Sequence, residues 1–431
     1  MRNLKKALGI LLVICFMATV ALSGCGQAHQ AAAPASSQET KKEESKQEET
    51  KKEEPKQEVT IRFGGWATAD VEEAYKFAVK DVEKAVPGVK VEFQHYTSDK
   101  DFWDTLPAQV AAKTAPDIIN STNEIYMYYI KNGLFASIDD YVKSGIIDVS
   151  QYAKSAIDIW TVDGKLYGLP WAANPAAFFI NMDMWKAAGL KDLPTTWDEV
   201  KTAAKALTKS GVKGICINDH EFHLTQYALS FGGGWGNGQT INSEGNAKGL
   251  QFCIDMFKDG LAITPKQAGL GWDGEVFSKK KAAMSTGGYW YVSYLAEAAP
   301  DINYEAVPIP KGTVNACTLH SDAFVVLKDA TDKELSAKVI SYMAREEAQQ
   351  YNLEKRNAIP SLKKLADSYF SKPVKLKNLK PAIDYAKPFG YPVESRKFTD
   401  ELLKLFDEAI YSKDSKITGK SIVEEVQKKF Q

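Results

Sequence analysis

Cysteine is scarce in this chain, and no two cysteines stand in CxxC spacing. Five occur among 431 residues, which disfavours a zinc site or a disulfide framework. An excess of charge of either sign is missing as well: 54 Lys and Arg stand against 55 Asp and Glu, for a net charge of −1. Nothing in that balance argues for a nucleic-acid surface. Histidine numbers five, and the one dense cluster, His220-Glu221-Phe222-His223, has HExH rather than HExxH spacing, so it is not a zinc-protease helix. A GxSxG elbow is absent, and "TGKS" at Thr418–Ser421 has Asp414 where a phosphate loop needs its first glycine.

The one long apolar run lies at the start. Arg2, Lys5 and Lys6 precede Ala7–Ala21, after which come Leu22-Ser23-Gly24-Cys25. The run is short for a spanning helix and ends in small residues, the pattern of a secretory signal. Leu-Ser-Gly-Cys resembles a bacterial lipobox, which implies cleavage after residue 24 and acylation of Cys25; an ordinary signal peptide with an incidental cysteine is the alternative. The mature chain is then expected to be anchored outside the cytoplasm by acyl groups rather than to span the membrane. Residues 25–58 follow as a charged tether, with "KKEESKQEET" nearly repeated as "KKEEPKQE" and no aromatic or branched aliphatic residue. Such a segment cannot bury enough surface to offset its ordering entropy.

From Val59 the composition is that of a globular protein long enough for two domains. Cys216, Cys253 and Cys317 are the cysteines left, an odd number best read as small buried hydrophobes. "VTIRFGGW" (Val59–Trp66) reads as a strand, Val71–Ala85 as a helix, "VKVEFQHY" as a second strand, Asp101–Lys113 as a helix and "APDIIN" (Ala115–Asn120) as a third strand. Strand and helix in alternation suggest a parallel sheet. Ligands in such sheets bind beyond the strands' carboxyl ends, here Trp66, Thr97, Ser98, Asn120 and Ser121. A second series follows: strand Ala176–Asn181, helix Met182–Ala188, a helix after Thr196 with Glu199 at capping-box spacing, "VKGICIN", and helix Ala247–Lys258.

The run "GKLYGLPWAANPAAFFINMDMW", with "LPTTWDEV" after it, resembles the central signature of bacterial extracellular solute-binding proteins, the family that includes the maltodextrin-binding proteins of ABC importers. "APDIIN", "GLFASIDDYV", "FSKKKAAMSTGGYW" and "AVPIPKG" occur in that family's order and spacing. The resemblance implies an α/β fold of two lobes, each a sheet flanked by helices, joined by crossing segments. Lobe one is expected at 59–171 and 306–345, lobe two at 172–305 and 346–431, with crossings near Trp171–Pro175, Ala306–Pro308 and Arg345. It implies a monomer that binds an oligosaccharide between its lobes and passes it to ABC permease subunits, without cofactor, metal or catalysis.

"AAMSTGGYW" (Ala282–Trp290) is the stretch that most suggests a ligand surface, because glycines let a ligand approach and an indole matches the apolar face of a sugar. Trp290 holds the position of a stacking tryptophan in maltodextrin-binding relatives. Trp66, Asn174, Trp171, His220, Phe222, Trp235, Trp272, Asp273, His320 and Asp322 are the further candidates, with Arg356, Tyr391 and Arg396 after them. Each has a structural alternative: core burial for Trp66, a turn before Pro175 for Asn174, the crossing itself for Trp171 and a solvated helix start for His220. The family's acidic contacts are replaced by Trp66 and Asn174, and Ser121 stands where an aromatic is found, so maltose is not implied. A surface polysaccharide adhesin and a glycosidase using carboxylates among Asp273, Glu275 and Asp322 remain alternatives, as does a polar non-sugar ligand such as a glycerophosphate.

Overall fold

Alternating strands and helices build two mixed five-stranded sheets. The structure, a computed structural model, describes residues 58–430 apart from Thr97, Pro373 and Lys413. The signal, Cys25 and the tether up to residue 57 lie outside the described residues, as does Thr97. In the first sheet the strand order is Val89–Tyr96, Val59–Trp66, Ile118–Thr122, Leu319–Val326 and Leu169–Pro175. The strands of the first α/β units run parallel. Leu319–Val326, which returns from far along the chain, is antiparallel to both its neighbours, so the sheet is mixed rather than parallel throughout.

The second sheet is ordered Tyr304–Pro308, Ala177–Asn181, Ala282–Gly287, Lys213–Cys216 and Ala262–Ile263. Every residue of "AFFIN" is buried, as expected for a central strand covered on both faces. The expected capping box is present: the Thr196 hydroxyl accepts from the Glu199 amide at 3.3 Å, and the Thr196 amide donates to the Glu199 carboxylate at 3.1 Å. Two helices differ from the sequence reading. The one expected over Val71–Ala85 is divided into Ala69–Val79 and Val82–Ala85 by Asp81, whose φ of 62° cannot continue a right-handed helix. The one expected from Ala247 starts at Glu244, because the Ser243 hydroxyl caps the Asn246 amide. Cys216, Cys253 and Cys317 are free and buried.

Passages between the sheets lie a little later in the chain than expected. Leu169–Pro175 pairs along its length within the first sheet, so residues 172–175 belong there and the first passage is at Ala176. Tyr304–Pro308 pairs wholly within the second sheet, so residues 306–308 are not in lobe one. Helix Glu346–Arg356, expected in lobe two, packs on both lobes: Leu353 sits against the lobe-two cluster that holds Phe179 and Tyr291, and the rest of the helix meets lobe one. Tyr351 stacks on Phe77 at 4.1 Å, and the Arg345 guanidinium donates to the carbonyls of Phe77 and Ala78. The helix ends at Asn357 in a left-handed conformation, φ 56°. The chain then runs beside Leu169–Pro175, where Asn174 Oδ1 accepts from the Ile359 amide at 2.7 Å and the Ala173 amide donates to the Ile359 carbonyl. Among the described residues no helix is long and apolar enough to cross a membrane.

Thr196→Ala is expected to lower stability by about 1 kcal/mol through loss of its cap. Urea unfolding against the parent chain checks this; an unchanged midpoint would mean the cap is not needed where Trp197 is already buried.

Candidate ligand-binding cleft

The carboxyl ends of strands from both sheets face one another across a single cavity of about 570 Å³, within the usual size range of small-molecule sites. Lobe one supplies Trp66 from the end of its strand, Asn120 and Thr122 from alternate positions of the next, and Thr68, Asp70, Val71 and Tyr75 from the start of helix Ala69–Val79. Trp103, Glu124 and Ile125 complete that side, while His320 and Asp322 project from alternate positions of Leu319–Val326. Lobe two supplies Asn218, His220, Phe222, His223, Trp272, Asp273, Tyr289 and Trp290, and Arg356 enters from the end of its helix.

The glycines before Tyr289 and Trp290 have a local cause. A Cβ on Gly288 would stand 2.3 Å from the Trp290 ring, and one on Gly287 2.8 Å from the Tyr291 ring, closer than such contacts can be. Their absence lets both rings fold back over the strand end. Trp290 meets Phe222 at 5.2 Å and His320 at 5.6 Å between ring centroids, both edge-on. An aromatic wall on lobe two results, fixed from behind by packing.

The polar groups form two networks. At the cleft floor, the Tyr289 hydroxyl donates to Asp322 Oδ2 at 3.2 Å and accepts from Arg356 Nη2 at 3.1 Å. Arg356 Nε lies 3.5 Å from Asp70. Burial above all pushes the Tyr289 phenol up, so it stays protonated and can donate. Beside it, Asp273 is only 2% exposed. It accepts from Asn218 Nδ2 at 2.6 Å, from His223 Nε2 at 3.2 Å and from the Tyr291 hydroxyl. Burial alone would raise its pKa, but the His223 charge and these hydrogen bonds outweigh it and hold the carboxyl below its ordinary value. His320 behaves oppositely: burial first, then Arg356, lower its pKa despite Asp322, so it is neutral. Its buried Nδ1 has no protein partner.

Of the residues singled out in the sequence, Trp66, Asn120, His220, Phe222, Trp272, Asp273, Trp290, His320, Asp322 and Arg356 line this cavity. Tyr391 and Arg396 lie in an adjoining recess; the Tyr391 hydroxyl meets Thr225, and Arg396 pairs with Asp104 across the lobes at 2.8 Å. The remaining five have structural places. Ser98 caps the helix that starts at Asp99, accepting from the Asp101 amide. Ser121 points to the opposite face of its strand from Asn120 and is fully buried. Trp171 is buried against Tyr75 and Phe324, donating to Asn120 Oδ1 at 3.1 Å. Asn174 is occupied at the passage by Ile359. Trp235 is a core residue that packs on Phe398 and donates to Thr225.

Tyr289, Asn218 and Asp70 were not expected. Tyr289 adjoins Trp290 in the very stretch that drew attention, and Asn218 follows "VKGIC" at a strand's carboxyl end, so both carried a signal. Asp70 did not, because only the fold brings it to Arg356. Gly269, Gly271 and Gly274 have GxGxxG spacing, but the first two follow helix Pro265–Ala268 rather than a strand and Gly274 lies within helix Asp273–Ser278, which is not the setting of a dinucleotide loop.

Residues 78–381 match the family model described as bacterial extracellular solute-binding protein. The chain belongs to that family. Among curated relatives, this solute-binding protein is 26% identical over 318 residues to the galactooligosaccharide-binding protein of Bacillus subtilis strain 168, covering 70% of this chain and 73% of that one. It is 23% identical over 282 residues to a binding protein of Brucella abortus strain 2308, covering 61% of this chain and 66% of the relative's length. Among solved structures, the ABC substrate-binding protein of Listeria monocytogenes in complex with cycloalternan superposes with a TM-score of 0.77 at 22% identity, covering 86% of this chain and 98% of that one. At that identity the likeness establishes the shared two-lobed fold.

The lowered pKa of His320 gives a pH dependence whose sign follows directly. The unfolded chain takes up the proton more readily, so stability falls as pH drops below the ordinary value of 6.5 and continues to fall until the folded pKa is passed. Urea unfolding at about pH 7.5 and about pH 5.5 should therefore show a smaller acid loss for His320→Gln than for the parent. Equal losses would place the acid sensitivity elsewhere.

Proposed function

We propose that this solute-binding protein captures a carbohydrate, an oligosaccharide, between its lobes and delivers it to an ABC permease. The observation that carries the reading is the cavity itself, in which indoles from both lobes, Trp66 and Trp290, accompany neutral and acidic hydrogen-bonding groups. Aromatic faces hold the C–H face of a sugar, and groups such as His320 Nδ1 and Asn120 select its hydroxyls, since a buried polar atom left unpaired penalises the wrong ligand. Asp70, Glu124, Asp273 and Asp322 outnumber Arg356 around the cavity, which favours a neutral polyol over a phosphate.

Binding without chemistry is the companion proposal. Glu275 accepts from the Gly271 amide, Asp273 from three donors and Asp322 from the Tyr289 hydroxyl, so each carboxyl already has a structural contact. The matched relatives are binding proteins, which supports this reading. Acylation at Cys25, with residues 25–58 as tether, would hold a monomer outside the cell membrane near its permease, and ligand would favour the closed arrangement by bridging the lobes.

A thermal-shift screen of mono- and oligosaccharides beside polyols, amino acids and glycerophosphates tests the ligand class. A concentration-dependent rise for one sugar series is expected; a rise for glycerophosphates alone, or retention only on insoluble polysaccharide, contradicts it. Trp290→Ala should then weaken the responding sugar by about tenfold or more, measured by titration calorimetry, and unchanged affinity would make the indole structural.

A further inference from the structure

The passage from lobe two into strand Leu319–Val326 is gripped by two buried amide side chains, one from each lobe. Gln226, on helix Glu221–Ser230 of lobe two, is fully buried. Its Nε2 donates to Thr318 Oγ1 at 2.9 Å and to the Phe222 carbonyl at 2.8 Å, and its Oε1 accepts from the Thr318 amide at 3.0 Å. Asn123 follows the lobe-one strand Ile118–Thr122, is buried, and takes hold just beyond. Its Nδ2 donates to the Leu319 carbonyl at 2.8 Å, and its Oδ1 accepts from the Ser321 amide at 2.9 Å. Between the two grips the Leu319 amide donates to the Lys387 carbonyl at 2.7 Å, and Phe389, two residues after Lys387, packs beside Phe222 of lobe two. Leu319 therefore has its N–H tied on the lobe-two side and its C=O tied to lobe one.

We propose that Leu319 is the pivot of this passage, and that Gln226 and Asn123 are positioning residues that confine the turning of the lobes to it. The inference rests on the reading that ligand favours a closed arrangement, and adds where the chain bends. Hinges are short stretches at element ends that absorb changes in φ and ψ, and Leu319 opens its strand. A passage free to yield anywhere would spread the motion over many torsions. Clamps on either side leave it the two torsions of one residue. In each clamp the donor and the acceptor of a single amide are both spent on the passage, which uses the full polarity of the side chain. The Thr318 carbonyl also accepts from the Ala176 amide at 2.9 Å, so the Gln226 clamp steadies the first passage too. His320 is the next residue, which puts the pivot directly at the cleft, while Gln226 and Asn123 themselves do not line the cavity.

The test compares the purified protein with Gln226→Met, which keeps the bulk and removes all three bonds, and with Thr318→Val, which removes one and spares the fold if the first variant does not. Asn246→Ala is the control: that amide is as deeply buried but bonds to Gly234, Thr240 and Ile241, all within lobe two. Small-angle scattering without ligand should show a larger radius of gyration for the two clamp variants, as the lobes swing further apart, and no change for the control. Calorimetry with galacto-, arabino- and malto-oligosaccharides should show affinity reduced roughly three- to tenfold in the clamp variants. The factor should be the same for every sugar that binds, because neither side chain reaches the ligand. A lowered melting temperature with parental radius and affinity, or equal changes in the control, overturns the pivot and makes the clamps merely structural. A parent that binds sugar without contracting overturns the closure reading instead. The unliganded radius decides the pivot even where no sugar binds, an outcome that overturns the carbohydrate reading.

Discussion

Asp322 ties together parts of the chain that are far apart in sequence. Its carboxylate stands on a strand of lobe one and accepts the hydroxyl of Tyr289 from lobe two, while Arg356, at the end of the helix that leads into the last passage, donates to the same hydroxyl. In a buried site each of these groups would be costly alone. Together they satisfy one another, and the arrangement exists only when strand, helix end and strand-following turn are all in place. The cleft floor is therefore also the place where the lobes meet. A ligand resting on it contacts groups whose positions depend on both lobes at once.

Much of this was legible in the sequence, for identifiable reasons. Glycine-aromatic strand ends and the family motif located Trp66 and Trp290, and family position located His320 and Asp322, which the fold places at alternate residues of one strand face. The capping box at Thr196 was readable because it is local. Parity also shows why Ser121 fails where Asn120 succeeds: neighbours on one strand cannot face the same cavity. Trp171 and Trp235 illustrate the opposite limit. A tryptophan next to glycine or proline looks available for a ligand, yet the space around it is filled by residues distant in sequence, Phe324 and Tyr75 for one, Phe398 for the other. Local pattern holds no information about those neighbours. For the same reason the contact of helix Glu346–Arg356 with lobe one was not foreseen, since its partner Phe77 lies early in the chain.

The chemistry of the cleft separates support from recognition. Asp273 is ionised but enclosed by His223, Tyr291 and Asn218, so it fixes the lobe-two wall and orients His223 and Asn218 at the cavity edge. Trp171 does the same for lobe one by holding Asn120 and stacking behind Tyr75. On the proposed carbohydrate reading, recognition would fall to half-buried groups set on these supports: the indoles of Trp66 and Trp290, neutral His320 and Asn120, with the acidic residues disfavouring a phosphate. On the same reading, preorganisation of this kind would lower the entropic cost of holding a flexible polyol, and closure of the lobes would be the step to which ligand binding is coupled.

That coupling is the account's central claim, and small-angle X-ray scattering tests it directly. Profiles would be recorded with and without saturating amounts of the sugar that gives the largest thermal shift. The account predicts that binding shifts the population towards a smaller radius of gyration matching the closed arrangement in which Tyr289 reaches Asp322. Tight binding with an unchanged radius in a demonstrably open protein would contradict it, because the ligand would then be held by one lobe alone.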